Sequence, residues 1–277
     1  MPELPEVETV RRALEPVLTG RRLVHVAITD ARLVRPLEPL QVAAELEGER
    51  VAAVERRGKY LIVRFDSGCS LLIHLRMTGS LRHAPAGTLA DDPHRRAVVR
   101  LDDGSDVAYR DVRRFGTWLA LGPGELEPYL AQRLGPEPLG GLTAQGLAAR
   151  LAGRRAPIKA ALLDQRTLAG MGNIYADEAL WCAQVHPLRP SNELDVGEVA
   201  RIHRCVRRAL RTGIERRGAS LRDYALPDGA EGTMQHEFRV YGRAGEPCDR
   251  CGAPIEKIRA AGRGTWYCPR CQPHEGS

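Results

Sequence analysis

Lysine is scarce in these 277 residues, aromatic residues reach only 5%, and no long apolar run occurs. Nothing approaches the ~18 consecutive apolar residues of a membrane-spanning helix, so no membrane span is expected. The first six residues include acids and open no apolar segment, so they do not read as a secretory signal; the expected location is the cytoplasm. No internal repeat is present, which excludes solenoids and propellers. Because lysine occurs only at Lys59, Lys159 and Lys257 among 41 Lys plus Arg, the net charge of +6 and pI of about 9.1 are arginine's doing. Arginine grips phosphate bidentately and never loses its charge, so a polyanion, most simply nucleic acid, is the expected partner. With 43% hydrophobic and 27% charged residues the chain is neither disordered nor fibrous. Its length suggests about two domains of ~150 residues.

Cysteine is also sparse, and its placement is uneven. Cys69, Cys182 and Cys205 are scattered through apolar or helical stretches and read as small buried hydrophobes. The other four form Cys248-x2-Cys251-x16-Cys268-x2-Cys271. Two thiolate pairs at this spacing suit one tetrahedral zinc ion (Zn2+), and four protein ligands leave no open position, so the metal is structural. Paired CxxC units in an intracellular chain point to metal rather than disulfides. The residues between the pairs include Lys257, Arg259 and Arg263, making the hairpin a candidate phosphate reader; a protein-binding ribbon is the alternative.

Val7, Val10, Leu14, Val17 and Leu18 repeat at helical spacing, with Pro5 and the acids Glu6 and Glu8 suited to the first turn. Strands are expected at 23–29, 50–55, 59–65, 70–75, 97–101 and 107–109, which suggests a β-sandwich or flattened barrel. Residues 83–93 read as a surface loop, and the Gly- and Pro-rich 122–141 as a linker. Helices follow at about 143–152, 157–165, 174–183 and 195–217, the last ending at Gly218. Arg201, Arg204, Arg208 and Arg211 line one face of it and read as solvated. Residues 219–233 read as a loop, and 236 onward as a metal-bound hairpin.

The start, Met1-Pro2-Glu3-Leu4-Pro5-Glu6, holds a second chemical signal. Removal of Met1 would make Pro2 a free secondary amine. An α-amine has a reference pKa of ~8 against ~10.4 for lysine, so more of it is nucleophilic near neutrality. Glu3 and Glu6 lie close enough in sequence to donate a proton or support charge, although acids at such a place commonly cap a helix.

The string MPELPEVETVRR, followed in order by RRGKYL, HLRMTGSL, RRFG, LGPEPL, GNIYADEAL, VYGRAGEPC and GRGTWYC, closely resembles the formamidopyrimidine-DNA glycosylase family along essentially the whole chain. The resemblance implies an α+β fold: an N-terminal β-sandwich with flanking helices over 1–132, a helical helix-two-turn-helix domain with a lesion-capping loop over 133–235, and a zinc-ribbon β-hairpin over 236–277. It implies a bacterial, nucleoid-associated monomer that repairs damaged double-stranded DNA without a catalytic metal or organic cofactor. Pro2 resembles the nucleophile that attacks the sugar C1′, Glu3 the acid that protonates the ring oxygen, and Glu6 a supporting carboxylate. Lys59 resembles the lysine that assists elimination, and Arg263 the zinc-hairpin arginine that supports it.

Met77, Arg113 and Phe115 resemble the side chains that fill the duplex when a nucleotide is flipped out; read bare, Met77 and Phe115 would be core. His74, His94 and Arg114 resemble DNA contacts near the lesion, and Arg155, Lys159 and Asn173 contacts to the backbone around it. Ser220, with Gly232 and Thr233, resembles part of the lesion-capping loop. Two departures stand out: Val112 where many relatives have Pro, and Arg76 where Gly is frequent. Leu4 favours the purine-lesion branch over the Nei (endonuclease VIII) branch. A Nei-like enzyme for oxidised pyrimidines, a non-catalytic damage binder and a zinc-ribbon interaction module remain as alternatives.

Overall fold

The computed structural model describes residues 1–221 and 224–274; Arg222 and Asp223, inside the expected loop 219–233, lie outside the described residues. The chain is α+β and divides into two compact units. Met1–Gln132 with Arg216–Thr233 forms one, Arg133–Glu215 with Met234–Ser277 the other. Among the described residues no helix is long and apolar enough to cross a membrane.

The first unit opens with α1 (Leu4–Leu18). Val7, Val10, Leu14 and Leu18 are all buried, because i, i+3, i+4 spacing turns them to one side. Each contributes roughly 1.5–3 kcal/mol by leaving water. In chain order there follow β1 (Leu23–Ile28), α2 (Pro39–Leu46), β2 (Val51–Arg57), β3 (Tyr60–Phe65), β4 (Ser70–His74), β5 (Gly79–Pro85), β6 (Arg95–Leu101), β7 (Ser105–Asp111), β8 (Thr117–Leu121) and α3 (Leu126–Ala131). The strands form two antiparallel four-stranded sheets, ordered β1-β6-β7-β5 and β2-β3-β4-β8. One apolar core containing Val10, Val26, Leu61, Ile73, Val107 and Trp118 draws on both sheets and on α1, which makes the expected sandwich.

Four elements go beyond the sequence reading. β5 begins inside HLRMTGSL and takes in His83, which reads as loop; its Arg82 and His83 blur the apolar alternation, and pairing with β7 decides its state. β8 follows RRFG and is held by β4, and α2 and α3 are short. α3 lies within the Gly- and Pro-rich 122–141, with Pro128 tolerated in its first turn.

The second unit contains α4 (Ala144–Leu151), α5 (Ile158–Leu163), α6 (Asn173–Ala183), α7 (Val196–Glu215) and the hairpin of β9 (Glu256–Ala260) and β10 (Arg263–Tyr267). α7 turns Val199, Ile202, Val206 and Leu210 inward and leaves Arg201, Arg204, Arg208 and Arg211 exposed. Cys182 on α6 and Cys205 on α7 are joined by a disulfide, with Cα atoms 5.8 Å apart. This corrects the reading of both as isolated small hydrophobes: they meet only because α6 lies against α7, and neither is fully buried. Cys69 is a free thiol lying against the sandwich core.

Candidate active site and nucleic-acid interface

In the first unit the start of α1 is enclosed. Pro2 is buried, and Glu3 and Glu6 are only 2% and 3% exposed. Two buried carboxylates need partners, and the backbone supplies those of Glu6. One oxygen accepts the Glu3 amide at 2.9 Å, as in a capping box, and the other accepts the Ala219 amide at 2.9 Å. Glu6 therefore joins the start of α1 to the root of the loop 219–233. Gly218 allows this approach: its φ is +78°, and a Cβ there would lie 2.8–3.1 Å from the Glu6 side chain. The Tyr224 hydroxyl adds a bond to the Glu6 carbonyl at 3.3 Å. The Ser220 hydroxyl accepts the Gly232 amide at 2.9 Å and closes the base of the same loop.

Lys59 is buried at the turn from β2 into β3, next to Gly58 with φ of +58°. His74 is buried at the end of β4, edge-on to Tyr60 with ring centroids 4.8 Å apart. Burial, reinforced by the charges of Arg76 and Lys59, lowers the His74 pKa to about 3, so the ring is neutral at physiological pH. Its Nδ1 accepts the Arg76 amide at 3.0 Å, which places the ring proton on Nε2. Arg76 has φ of +53°, a left-handed conformation that glycine adopts without strain; that explains why glycine suits this position.

Met77, Val112, Arg113 and Phe115 are exposed on two turns, and Phe115 is 51% accessible. The Arg113 guanidinium lies 4.8 Å from the centre of the Phe115 ring. The bare reading of Met77 and Phe115 as core side chains is therefore corrected. Arg114 is engaged within the protein: its Nε and Nη2 donate to Asp30 at 2.5 and 2.8 Å, which holds that carboxyl below its ordinary range. His94 is half-buried, and its amide donates to Asp92 at 2.8 Å.

In the second unit Arg155 is exposed ahead of α5, whereas Lys159, one turn later, is 0% exposed. The Lys159 ammonium pairs with Asp177 at 2.7 Å and donates to Thr265 Oγ1 at 2.7 Å and to the Gly264 carbonyl at 3.1 Å. The enclosed ammonium meets protein acceptors in this structure, while its contact to the DNA backbone stands as an expectation from the resemblance. Asn173, at the start of α6, donates to the same Gly264 carbonyl at 2.9 Å. Two helices thus hold the residue next to Arg263, which is exposed at the head of β10. Burial pushes the Asp177 carboxyl up to about 7, against the pull of Lys159.

Replacing Lys159 by methionine would leave Asp177 buried alone, and the expected destabilisation at pH 8 is about 3–5 kcal/mol. The folded variant would bind a proton at Asp177 that the unfolded chain releases, so the deficit should shrink as pH falls towards 5. Thermal unfolding at the two pH values checks this; equal deficits at both would contradict it.

The four thiols Cys248, Cys251, Cys268 and Cys271 have sulfurs all within 4.8 Å of one another. Cys251 and Cys268 are 3.4 Å apart, and Cys248 and Cys271 3.9 Å. Tetrahedral zinc with bonds of about 2.3 Å sets its sulfurs about 3.8 Å apart, so the cluster fits the ion. Trp181 Nε1 donates to Cys248 Sγ at 3.3 Å, and the Cys271 amide to Cys268 Sγ at 3.4 Å, as suits thiolates. Sequence reasoning missed Asp177, Thr265, Thr78 and Asp111. The one available signal is an aspartate amid the apolar residues of NIYADEAL, a pattern that calls for a buried cation.

The comparisons with known proteins cover most of the chain. Residues 1–118 match the formamidopyrimidine-DNA glycosylase N-terminal domain, 134–225 the H2TH domain of the same glycosylase, and 245–273 a zinc finger found in FPG and IleRS. A formamidopyrimidine-DNA glycosylase from Symbiobacterium thermophilum is 51% identical, covering 99% of this chain and 90% of its own. One from Herpetosiphon aurantiacus is 45% identical over 98% of this chain and 100% of its own. Among solved structures, a Lactococcus lactis FPG variant in complex with Fapy-dG containing DNA aligns with a TM-score of 0.93 at 39% identity, covering 99% of this chain and 100% of that one. MutM in complex with carbocyclic 8-oxo-G containing DNA aligns with a TM-score of 0.92 at 38% identity, over 99% and 100%.

Proposed function

The chain belongs to the formamidopyrimidine-DNA glycosylase family of DNA-repair enzymes, and from that premise we propose that it excises oxidised purines, such as 8-oxoguanine and formamidopyrimidines, from duplex DNA and then cuts the strand as an abasic-site lyase. The observation that carries this reading is the burial of Pro2, Glu3 and Glu6 together at the start of α1. A proline whose nitrogen is freed by loss of Met1 would there be an amine among carboxylates, screened from bulk water.

Pro2 attacks C1′ of the flipped nucleotide and displaces the base, which leaves with the proton that the Pro2 nitrogen gives up, while Glu3 protonates the sugar ring oxygen as the ring opens. The nitrogen, bound to C1′, carries the positive charge of an iminium. Loss of a proton from C2′ then expels the 3′ phosphate, and a second elimination expels the 5′ phosphate. Water finally releases Pro2 from the sugar fragment. Lys59 and Arg263 offset the charge of the departing phosphates. Glu6, with both oxygens held by amides, keeps the amine and the loop 219–233 in place rather than moving protons.

Met77, Arg113 and Phe115 enter the duplex, and His74, His94, Arg114, Arg155, Asn173 and Ser220 contact the DNA. Lys159 acts from within, by fixing the hairpin that carries Arg263. The zinc ion, held by the four cysteines, keeps that hairpin folded. Functionally the chain divides into a catalytic sandwich (1–132), a helix-two-turn-helix domain with its capping loop (133–235) and a zinc finger (236–277), and it acts as a monomer.

Incubation with a duplex carrying 8-oxoguanine opposite cytosine should nick the strand on both sides of the lesion and yield a covalent adduct under borohydride. Faster excision of thymine glycol than of 8-oxoguanine would replace this reading with the pyrimidine-lesion one. Binding without nicking would leave a damage binder. DNA binding that ignores salt would favour the interaction module.

A further inference from the structure

The exposed tips that carry Met77 on one side and Arg113 with Phe115 on the other are joined beneath the surface. Asp111, the last residue of β7, is buried, as is Thr78 at the start of the β5 side. The Thr78 hydroxyl donates to Asp111 Oδ1, and the Gly116 amide donates to Asp111 Oδ2 at 2.8 Å. Thr78 Oγ1 in turn accepts the Arg113 amide at 2.9 Å. A carboxylate only accepts, so the single hydroxyl proton must go to Asp111, and the Thr78 lone pair is left for Arg113. The direction of the chain Arg113 to Thr78 to Asp111 is thereby fixed. Tyr109 fills the space between the turns: a Cβ at either Gly79 or Gly116 would collide with its hydroxyl. Both turns are therefore set by two buried side chains and a shared tyrosine, while their tips stay exposed.

We infer that Thr78 and Asp111 are positioning residues that couple the two turns, so that Met77, Arg113 and Phe115 enter the duplex as one preorganised wedge. The inference rests on the proposed reading of those three side chains as the wedge. Each turn alone is a short exposed loop, and ordering two of them separately during nucleotide extrusion costs conformational entropy twice. The buried clamp removes that cost before DNA arrives.

The test uses the full chain with Met1 removed. Thr78→Val keeps the shape but deletes the hydroxyl, stranding the Arg113 amide and Asp111 Oδ1; Thr78→Ser keeps the bonds. The valine variant should excise 8-oxoguanine from duplex DNA about tenfold more slowly in single turnover, while the serine variant stays within about twofold of the parent. Borohydride trapping on an abasic site in single-stranded DNA, where there is no stack to enter, should be unchanged in both. Arg113→Ala is the control and should slow duplex excision. Normal duplex excision by Thr78→Val alongside an impaired Arg113→Ala would overturn the coupling and spare the wedge. Loss of single-strand trapping by Thr78→Val would also overturn it, by showing a general folding role. Normal duplex excision by Arg113→Ala and Met77→Ala would instead overturn the wedge reading itself.

Discussion

A chain that keeps Met1 is expected to form no borohydride-stable adduct with an abasic or 8-oxoguanine duplex, while the same chain freed of Met1 forms one. The difference should be at least roughly a thousandfold, the scale on which removal of a catalytic nucleophile acts. The reason is electronic. With Met1 attached, the Pro2 nitrogen is an amide whose lone pair is delocalised into the carbonyl; without it, the nitrogen is a secondary amine with a pKa near ~8. The Met1 side chain is exposed whereas Pro2 is buried, so removing the first residue uncovers the nitrogen without disturbing the core. Mass spectrometry of the N-terminus together with trapping on one DNA substrate checks it. Full trapping with Met1 present would end the case for Pro2 and move attention to Lys59.

The second large effect concerns zinc. The apolar cluster of the zinc module is Val240, Ile255, Cys248, Cys268 and Cys271, so three of its five members are metal ligands. Without the ion, little is left to bury, and the four thiols lose the one partner that holds them together. Structural zinc contributes about 10–16 kcal/mol to folding in small modules of this kind. Chelation, or Cys268→Ser, should therefore unfold the hairpin of β9 and β10. Lys159 and Asn173 would then lose the Gly264 carbonyl they hold. DNA binding should fall with zinc content, read by metal analysis beside an affinity measurement. Unchanged affinity and melting temperature in metal-free protein would overturn the structural role.

The disulfide between Cys182 and Cys205 shows the limit of local reading. Each cysteine looks like a small hydrophobe in its own helix, and only the contact of α6 with α7 makes them a pair. Lys159 is a similar case. Its neighbours Arg154 and Arg155 are basic, which suggests a surface cation, but helix geometry turns its side chain inward to Asp177, eighteen positions further along the chain. Glu6 bears out the capping reading, accepting the Glu3 amide at the start of α1, and the fold adds a second partner in the Ala219 amide.

What the sequence determined by itself was whatever depends on spacing along the chain. The period of Val7, Val10, Leu14 and Leu18 places α1, the two CxxC pairs define the metal ligands, and the ordered motifs identify the family. These signals are short-ranged, so each is complete within a few residues. Tertiary structure alone decided the pairing of β5 with β7, the buried partner of Lys159, and the clamp of Thr78 and Asp111. Such features depend on residues far apart in sequence meeting in a core, where an unpaired buried charge or amide costs too much to persist. Apart from the aspartate amid the apolar residues of NIYADEAL, pattern along the chain carries no record of that requirement until the fold supplies the partner.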